Sequence, residues 1–263
     1  MKMKNLFRKK EKKELTVEQK IQRRTLLSFS AFIALYGAAY ASWRWLYHAP
    51  EEAEGITAGA KAPLRSALNA NEKVFSSTFN EMRLAKTYPK SMAAKEVRQN
   101  GDIGLAEDFD AATWKLQVTK KSGAVINITL NDLKQLPKTE IVYDFKCIEG
   151  WDQISHWAGV RFSDFVKHYG LHQEINMQYV GLSTPDDEYY VGIDMPGAMH
   201  TQTLLCYEMN DHPLLPEHGA PLRLIIPVKY GIKNLKRIGT MFFSNERPPD
   251  YWAEQGYDYY SGL

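Results

Sequence analysis

Cys147 is one of only two cysteines in this 263-residue chain, and it stands in the run Asp144-Phe145-Lys146-Cys147-Ile148-Glu149-Gly150-Trp151. A thiolate is the donor that a soft, redox-active metal selects, by extension of the softness rule for first-row metals. Lys146 beside the thiol favours its ionised form. Glu149, two residues on, is either an acid–base group or a cap of the loop. Taken alone, Cys147 reads more simply as a small buried hydrophobe, and its surroundings have to decide. Cys206 lies in the apolar run Thr203-Leu204-Leu205-Cys206-Tyr207-Glu208-Met209 and reads as a buried thiol. In an oxidising compartment a bridge between the two is the alternative, and it would abolish the thiolate. Neither Cys-x-x-Cys-His nor a cysteine cluster occurs, which excludes attached c-type haem and iron–sulfur centres in this chain. Electrons for a redox metal would therefore enter from a partner. His156, His200 and His212 lack metal-ligand spacing and receive no role.

A second kind of chemistry is anion binding. Guanidinium forks and successive backbone N–H groups hold phosphates, and Arg223 followed by the loop of residues 231–236 suits that task. Three segments in order carry a family resemblance: Lys146-Cys147-Ile148-Glu149-Gly150-Trp151; Asn210-Asp211-His212-Pro213-Leu214 through Pro216-Glu217-His218-Gly219-Ala220-Pro221-Leu222-Arg223-Leu224-Ile225-Ile226-Pro227; and Lys229-Tyr230-Gly231-Ile232-Lys233-Asn234-Leu235-Lys236-Arg237-Ile238 with Glu246-Arg247-Pro248-Pro249-Asp250-Tyr251-Trp252. Together they resemble the sulfite oxidase fold family of molybdopterin-dependent oxidoreductases, in particular the branch containing the periplasmic methionine sulfoxide reductase catalytic subunit. The resemblance covers residues 105–263.

It implies a Mo-molybdopterin cofactor with Cys147 as metal ligand and catalytic residue, and Thr184, His218, Arg223, Asn234, Leu235 and Lys236 as cofactor contacts. Phe79-Asn80-Glu81 resembles the N-terminal segment that reaches back to the cofactor, adding Asn80 and Glu81, although Ser77 stands where the branch carries Asn and Asn80 where it carries Tyr. His218 is the residue of sulfite oxidases, whereas the reductase branch usually shows Asn there. The implied activity is oxygen-atom transfer, foremost reduction of a free or protein-bound S-oxide such as methionine sulfoxide, with a transmembrane b-type cytochrome as redox partner. A sulfite-oxidising enzyme of the same fold and a metal-free, membrane-tethered scaffold are the alternatives.

The N-terminus indicates where this chemistry takes place. Residues 1–24 carry ten Lys/Arg against three Glu, so +7 within a chain of net charge +2, which leaves the remainder at −5. The folded part therefore lacks the basic excess that nucleic acid requires. Residues 25–43 are uncharged and apolar, enough to cross a hydrocarbon core of about 30 Å at about 1.5 Å per residue. A transmembrane anchor is expected over residues 25–47, with Trp43, Trp45 and Tyr47 at the interface. The basic flank places the N-terminus in the cytoplasm and the rest in the periplasm or outside. Arg23-Arg24 before the apolar run resembles a twin-arginine export signal. Ala39-Tyr40-Ala41 offers a cleavage option, but the flanking aromatics and Arg44 favour an anchor that stays.

The elements that must position the site follow from hydrophobic periodicity. Residues 48–104 read as a polar linker and N-terminal arm, with helix turns between residues 65 and 87. Residues 113–119 and 124–129 alternate around a turn at 121–123, which predicts a hairpin. A short helix over 131–136 is stopped by Pro137. A strand over 140–145 delivers Cys147 at its end. Ser163 is placed to cap a helix through His168 that ends at Gly170. Strands at 179–183 and 189–193 flank the turn at 184–187. The fold class is α+β: mixed sheets with short helices, one oxidoreductase domain over 105–263, and one N-terminal membrane helix.

Overall fold

The computed structural model describes residues 15–51, 61–80, 82–107 and 109–262. They fall into two compact units, one within Met1–Ala49 and one within Pro50–Leu263. The first is a single helix, α1 (Val17–Tyr47), opened by a capping box in which Thr16 accepts from the Gln19 backbone N–H and the Gln19 side chain accepts from the Thr16 N–H. None of its residues is buried, and it is long and apolar enough to cross a membrane.

The second unit is built on two sheets. Its strands are β1 (Leu116–Thr119), β2 (Val125–Ile128), β3 (Lys138–Lys146), β4 (Asp152–Arg161), β5 (Tyr179–Ser183), β6 (Tyr190–Asp194), β7 (Leu204–Met209), β8 (His212–Pro213), β9 (Arg223–Ile225) and β10 (Thr240–Ser244). One sheet runs β2-β1-β10-β5-β6 and the other β3-β4-β7-β8, with β9 also pairing β7. Among the described residues only the β1–β10 strand pair is parallel. The helices are α2 (Ala62–Thr78), α3 (Leu130–Leu133), α4 (Phe162–His168), α5 (Met195–Ala198) and α6 (Tyr251–Glu254). The α+β class stands as the sequence indicates.

The predicted hairpin is β1–β2, antiparallel with Val118 opposite Ile126. Leu116 and Val118, on its inner face, are buried in the larger apolar cluster beside Val180, Leu182 and Leu235. One local expectation needs correction. Ser163 does not cap α4, because that helix begins one residue earlier and takes Arg161 as its N-cap without a side-chain bond. The helix turns expected between residues 65 and 87 are present over 65–78, as part of the 17-residue α2. Its buried Arg65 donates to the carbonyls of Ala253 and Tyr257 at 2.8 Å each.

The sheet that positions Cys147 depends on one glycine. β4 crosses β7 with a bulge between Ala158 and Gly159, and a Cβ at Gly159 would lie 2.1 Å from the Leu205 carbonyl oxygen. Only glycine permits that approach. On the other side β4 pairs with β3 over nine residues, Ile141 opposite Trp157 and Phe145 opposite Gln153. Ile141, Tyr143 and Trp157 build the smaller apolar cluster with Cys206 and Ile225. Alternation therefore sets Phe145, Gln153, Ser155 and Trp157 on one face and Glu140, Val142 and His156 on the other.

Candidate active site

Cys147 follows the last residue of β3 and opens the turn to β4. Its N–H donates to the Trp151 carbonyl at 2.9 Å, and its own carbonyl accepts from Gly150 N–H at 3.1 Å. Gly150 has φ +88°, a conformation that glycine adopts without penalty. The side chain is 7% exposed and lines a cleft of about 980 Å³ measured to its open mouth. Phe145, Trp151, Trp157, Tyr189, Trp252 and Tyr257 supply its aromatic wall. Tyr230, an aromatic residue of the third motif, is not part of that lining.

Burial pushes the Cys147 thiol up from its ordinary pKa. The sequence suggests that Lys146 would instead favour the thiolate. That expectation fails because the Lys146 ammonium is paired with Asp144 and lies 3.9 Å from Asp152. Both cysteines are free, so the Cys147–Cys206 bridge does not form. Cys206 is fully buried, its Sγ donating to the Glu208 carbonyl at 3.1 Å, and burial pushes its thiol up to about 12.

Glu149 is a fixed carboxylate. Its Oε2 accepts from Trp151 Nε1 at 3.0 Å and Asn100 Nδ2 at 3.2 Å, and these bonds hold its pKa below the usual carboxylate value. The same Asn100 amide lies 3.9 Å from Cys147 Sγ. Asn100 thus ties the turn to the loop of residues 97–103, whose Arg98 stacks over Trp151 with its guanidinium carbon 4.7 Å from the ring centre.

At the cationic part of the lining Arg223, on β9, is 4% exposed. It donates to the His218 carbonyl at 3.0 Å and the Asn234 carbonyl at 3.4 Å, and lies over the Trp157 ring at 4.6 Å. Its Nε is buried without a hydrogen bond. No carboxylate among the described residues pairs with it. Lys236 Nζ donates to the carbonyls of Asn100, Gly101 and Glu217 at 2.8–3.0 Å. Burial and the neighbouring Arg223 lower the Lys236 pKa to about 8. Burial, Arg223 and Lys236 likewise push His218 down to about 4, so its ring is neutral at pH 7. Asn234 shapes this region from within: its Oδ1 accepts from Ile226 N–H at 2.7 Å and its Nδ2 donates to the Tyr230 carbonyl at 3.0 Å.

Cys147, His218, Arg223, Asn234 and Lys236 are therefore brought to one cleft. The side chains of Leu235, Thr184 and Asn80 do not line it. The Leu235 side chain is buried in the larger core cluster, and its carbonyl accepts from Leu224 N–H. Thr184 is wholly buried in the 184–189 turn, its Oγ1 donating to Asp186 Oδ1. Asn80 lines a separate cleft with Phe75, Phe79 and Tyr88, its Oδ1 accepting from Met82 N–H. Glu81 lies outside the described residues. Sequence reading missed Asn100 and Arg98, which sit in an irregular loop with no motif around them.

Residues 103–252 match the family model described as the oxidoreductase molybdopterin binding domain. The chain belongs to this family. Its cofactor is Mo-molybdopterin, and it is an oxidoreductase of the oxygen-atom-transfer class. The cleft fits that group on its own chemistry: one thiol donor for the metal, and a buried guanidinium with an orphaned Nε for an anion. Among family members the chain is 36% identical over 186 residues to a putative protein-methionine-sulfoxide reductase subunit, YedZ1, of Azospira oryzae, covering 70% of each. It is 30% identical to the protein-methionine-sulfoxide reductase catalytic subunit MsrP of Campylobacter jejuni, covering 61% of this chain and 60% of that one. It is 31% identical to the uncharacterized oxidoreductase YuiH of Bacillus subtilis over 61% of this chain and 79% of the other. The solved sulfane dehydrogenase SoxCD of Paracoccus pantotrophus aligns with 64% of this chain and 46% of its own at 17% identity and a TM-score of 0.49, a distant likeness.

Proposed function

We propose that this oxidoreductase reduces S-oxides, with methionine sulfoxide, free or in a protein, as the favoured substrate. Two electrons and two protons convert the sulfoxide to the thioether and water. The observation that carries the reading is a single free thiol and the cations Arg223 and Lys236 lining one aromatic cleft. Cys147 Sγ is the protein ligand to the metal. Arg223, Lys236 and the neutral His218 hold the anionic end of the cofactor. Asn234 keeps their two segments in register, and Asn100 fixes the turn that presents the thiol. When bound, the molybdenum supplies the two-electron, oxygen-accepting centre. Glu149, held ionised by two donors, serves as the anchor of Asn100 and not as the proton source. The aromatic wall gives a thioether side chain soft, apolar surroundings in which sulfur–ring contacts are favourable.

The names of the two reductase relatives support the substrate. The apolar α1 behind a basic leader supports a single-pass anchor with the catalytic unit facing the periplasm and a twin-arginine route for a chain folded around its cofactor. The family resemblance adds a membrane b-type cytochrome as electron donor. Steady-state assays of the loaded protein test the reaction: methionine sulfoxide with a reduced dye on one side, sulfite with an oxidised dye on the other. Turnover of the sulfoxide at least about tenfold above that of sulfite is expected; the reverse ratio makes it a sulfite-oxidising enzyme, and turnover of neither sinks the proposal.

The low pKa of Lys236 gives a pH prediction. With a folded value of about 8 against an ordinary 10.5, the ammonium is charged at pH 7 and nine-tenths neutral at pH 9. Sulfate, which does not itself titrate there, is expected to bind the cofactor-free protein about tenfold more weakly at pH 9 than at pH 7. Lys236→Met flattens that profile. An equally steep profile in the variant assigns the dependence to another group.

A further inference from the structure

The face of the β3–β4 pair turned away from the cleft carries a cluster that the proposed reaction does not use. His156 sits between the cleft residues Ser155 and Trp157 and so projects to the opposite side of the sheet. It is 2% exposed, and its Nε2 makes no hydrogen bond. A buried polar atom left in that state costs about 1–3 kcal/mol.

Two carboxylates reach this ring from separate segments. Glu140 is the diagonal neighbour of His156 across the Val142–His156 pair, with Oε2 3.6 Å from Nε2. Asp211 comes from the two-residue turn between β7 and β8, where Asn210 and Asp211 have φ +52° and +63°, and its Oδ2 lies 4.0 Å from Nδ1. That turn is pinned over β4: Asn210 N–H donates to the His156 carbonyl at 3.1 Å, and its amide donates to the carbonyls of Ala94 and Lys95. One ring nitrogen and one oxygen of each carboxylate lie within 4.8 Å of one another. The ammonium of Lys90 already lies between the acids, 2.7 Å from Glu140 Oε2 and 2.9 Å from Asp211 Oδ1. A cation is therefore favoured at this spot, yet this one sits on a half-exposed side chain and forms no hydrogen bond with the imidazole.

We infer that Glu140, His156 and Asp211 form a second metal site, for a zinc-like divalent cation, with Lys90 as a built-in competitor. One imidazole and two carboxylates are a donor set that such an ion accepts. Bonds of about 2.0–2.2 Å in tetrahedral geometry set neighbouring donors about 3.3 Å apart. The Glu140–His156 pair is already close to this at Nε2, and the exposed Asp211 side chain, whose nearest ring atom is Nδ1, has to rotate toward Nε2 to complete the set. The ion would tie the β7–β8 turn to the β3–β4 pair, stiffening the sheet whose other face floors the cleft. The inference is independent of which substrate the cleft takes.

Calorimetric titration of zinc chloride into chelator-treated, cofactor-loaded full chain in detergent tests it. One zinc per chain is expected, weakened at least about tenfold by Asp211→Asn and by Glu140→Gln, and tightened about tenfold by Lys90→Met. All three residues are exposed, so the variants fold, and Asn tolerates the positive φ of position 211. His212→Gln, next to that turn at the start of β8, should bind as wild type. Absence of zinc binding in the wild type, wild-type affinity in Asp211→Asn, or a Lys90→Met variant that binds no tighter overturns the site.

Discussion

Changing Cys147 to serine is expected to lower turnover to background, a loss of about a thousandfold or more, the scale seen when one member of a catalytic unit is removed. The substitution is nearly isosteric, so the turn held by Trp151 and Gly150 survives. What changes is the donor: a hard alkoxide precursor replaces a soft sulfur. The surroundings of the thiol sharpen the argument. Burial raises the Cys147 pKa, and the nearest cation in sequence, Lys146, is engaged with Asp144. The protein alone therefore does not ionise this thiol; a metal has to supply the compensating charge, as coordination does for thiols generally. The residues placed around the anionic end of the cofactor are untouched by the change, so molybdenum content should stay near that of wild type while the thiolate-to-metal absorption is lost. Cys206→Ser is the control, expected to stay within a few-fold of wild-type turnover, because Cys206 is fully buried against the Glu208 carbonyl and has no access to the cleft. Near-wild-type activity in Cys147→Ser removes the assignment of the metal ligand.

How much of this was legible depended on whether the signal was local. The β1–β2 hairpin and the strand that delivers Cys147 are periodic, and alternation alone places Ile141, Tyr143 and Phe145 on one face. Motif resemblance collected Arg223, Asn234, Lys236 and His218 because they lie within 19 residues of one another in the chain, in segments whose backbones bond directly, Leu224 to Leu235. At Leu235 and Thr184 the side chains are engaged in the core and in a turn, which leaves the backbone of these two positions for any contact with the cofactor. The resemblance fell short at Asn100, which no pattern marks. That residue is held at the cleft by a tertiary contact, the Lys236 ammonium on the carbonyls of residues 100 and 101. His156 shows the same limit from another side. Spacing along the chain denied it metal partners, whereas β-pairing with Glu140 and the Asn210–Asp211 turn bring two carboxylates to it. Lys146 shows that adjacency in sequence is poor evidence for electrostatic influence when the side chain has a carboxylate of its own.

Arg223→Met should reduce molybdopterin retention about ten- to a hundredfold, the equivalent of about 1.5–3 kcal/mol for one charged hydrogen-bonding partner. Methionine fills a similar volume, so the expected loss is one of charge and of donors. The guanidinium is buried with no carboxylate partner among the described residues, bonded to carbonyls and stacked on Trp157. Burial pulls its pKa below the ordinary value. A cation in that state is costly for the fold, and the orphaned Nε leaves a donor free for an anion. The measurement that separates cofactor binding from fold stability is thermal unfolding with and without the cofactor. Because a ligand stabilises the state that binds it, the cofactor-dependent rise in Tm should shrink in Arg223→Met whatever happens to the Tm of the empty protein. Arg223→Lys keeps the charge but lacks the planar fork, and should fall between the two. Lys236→Met should be milder at pH 8 and above, where its ammonium is already half neutral. Full retention of molybdopterin in Arg223→Met, with an undiminished rise in Tm, would place the anionic end of the cofactor elsewhere in the cleft.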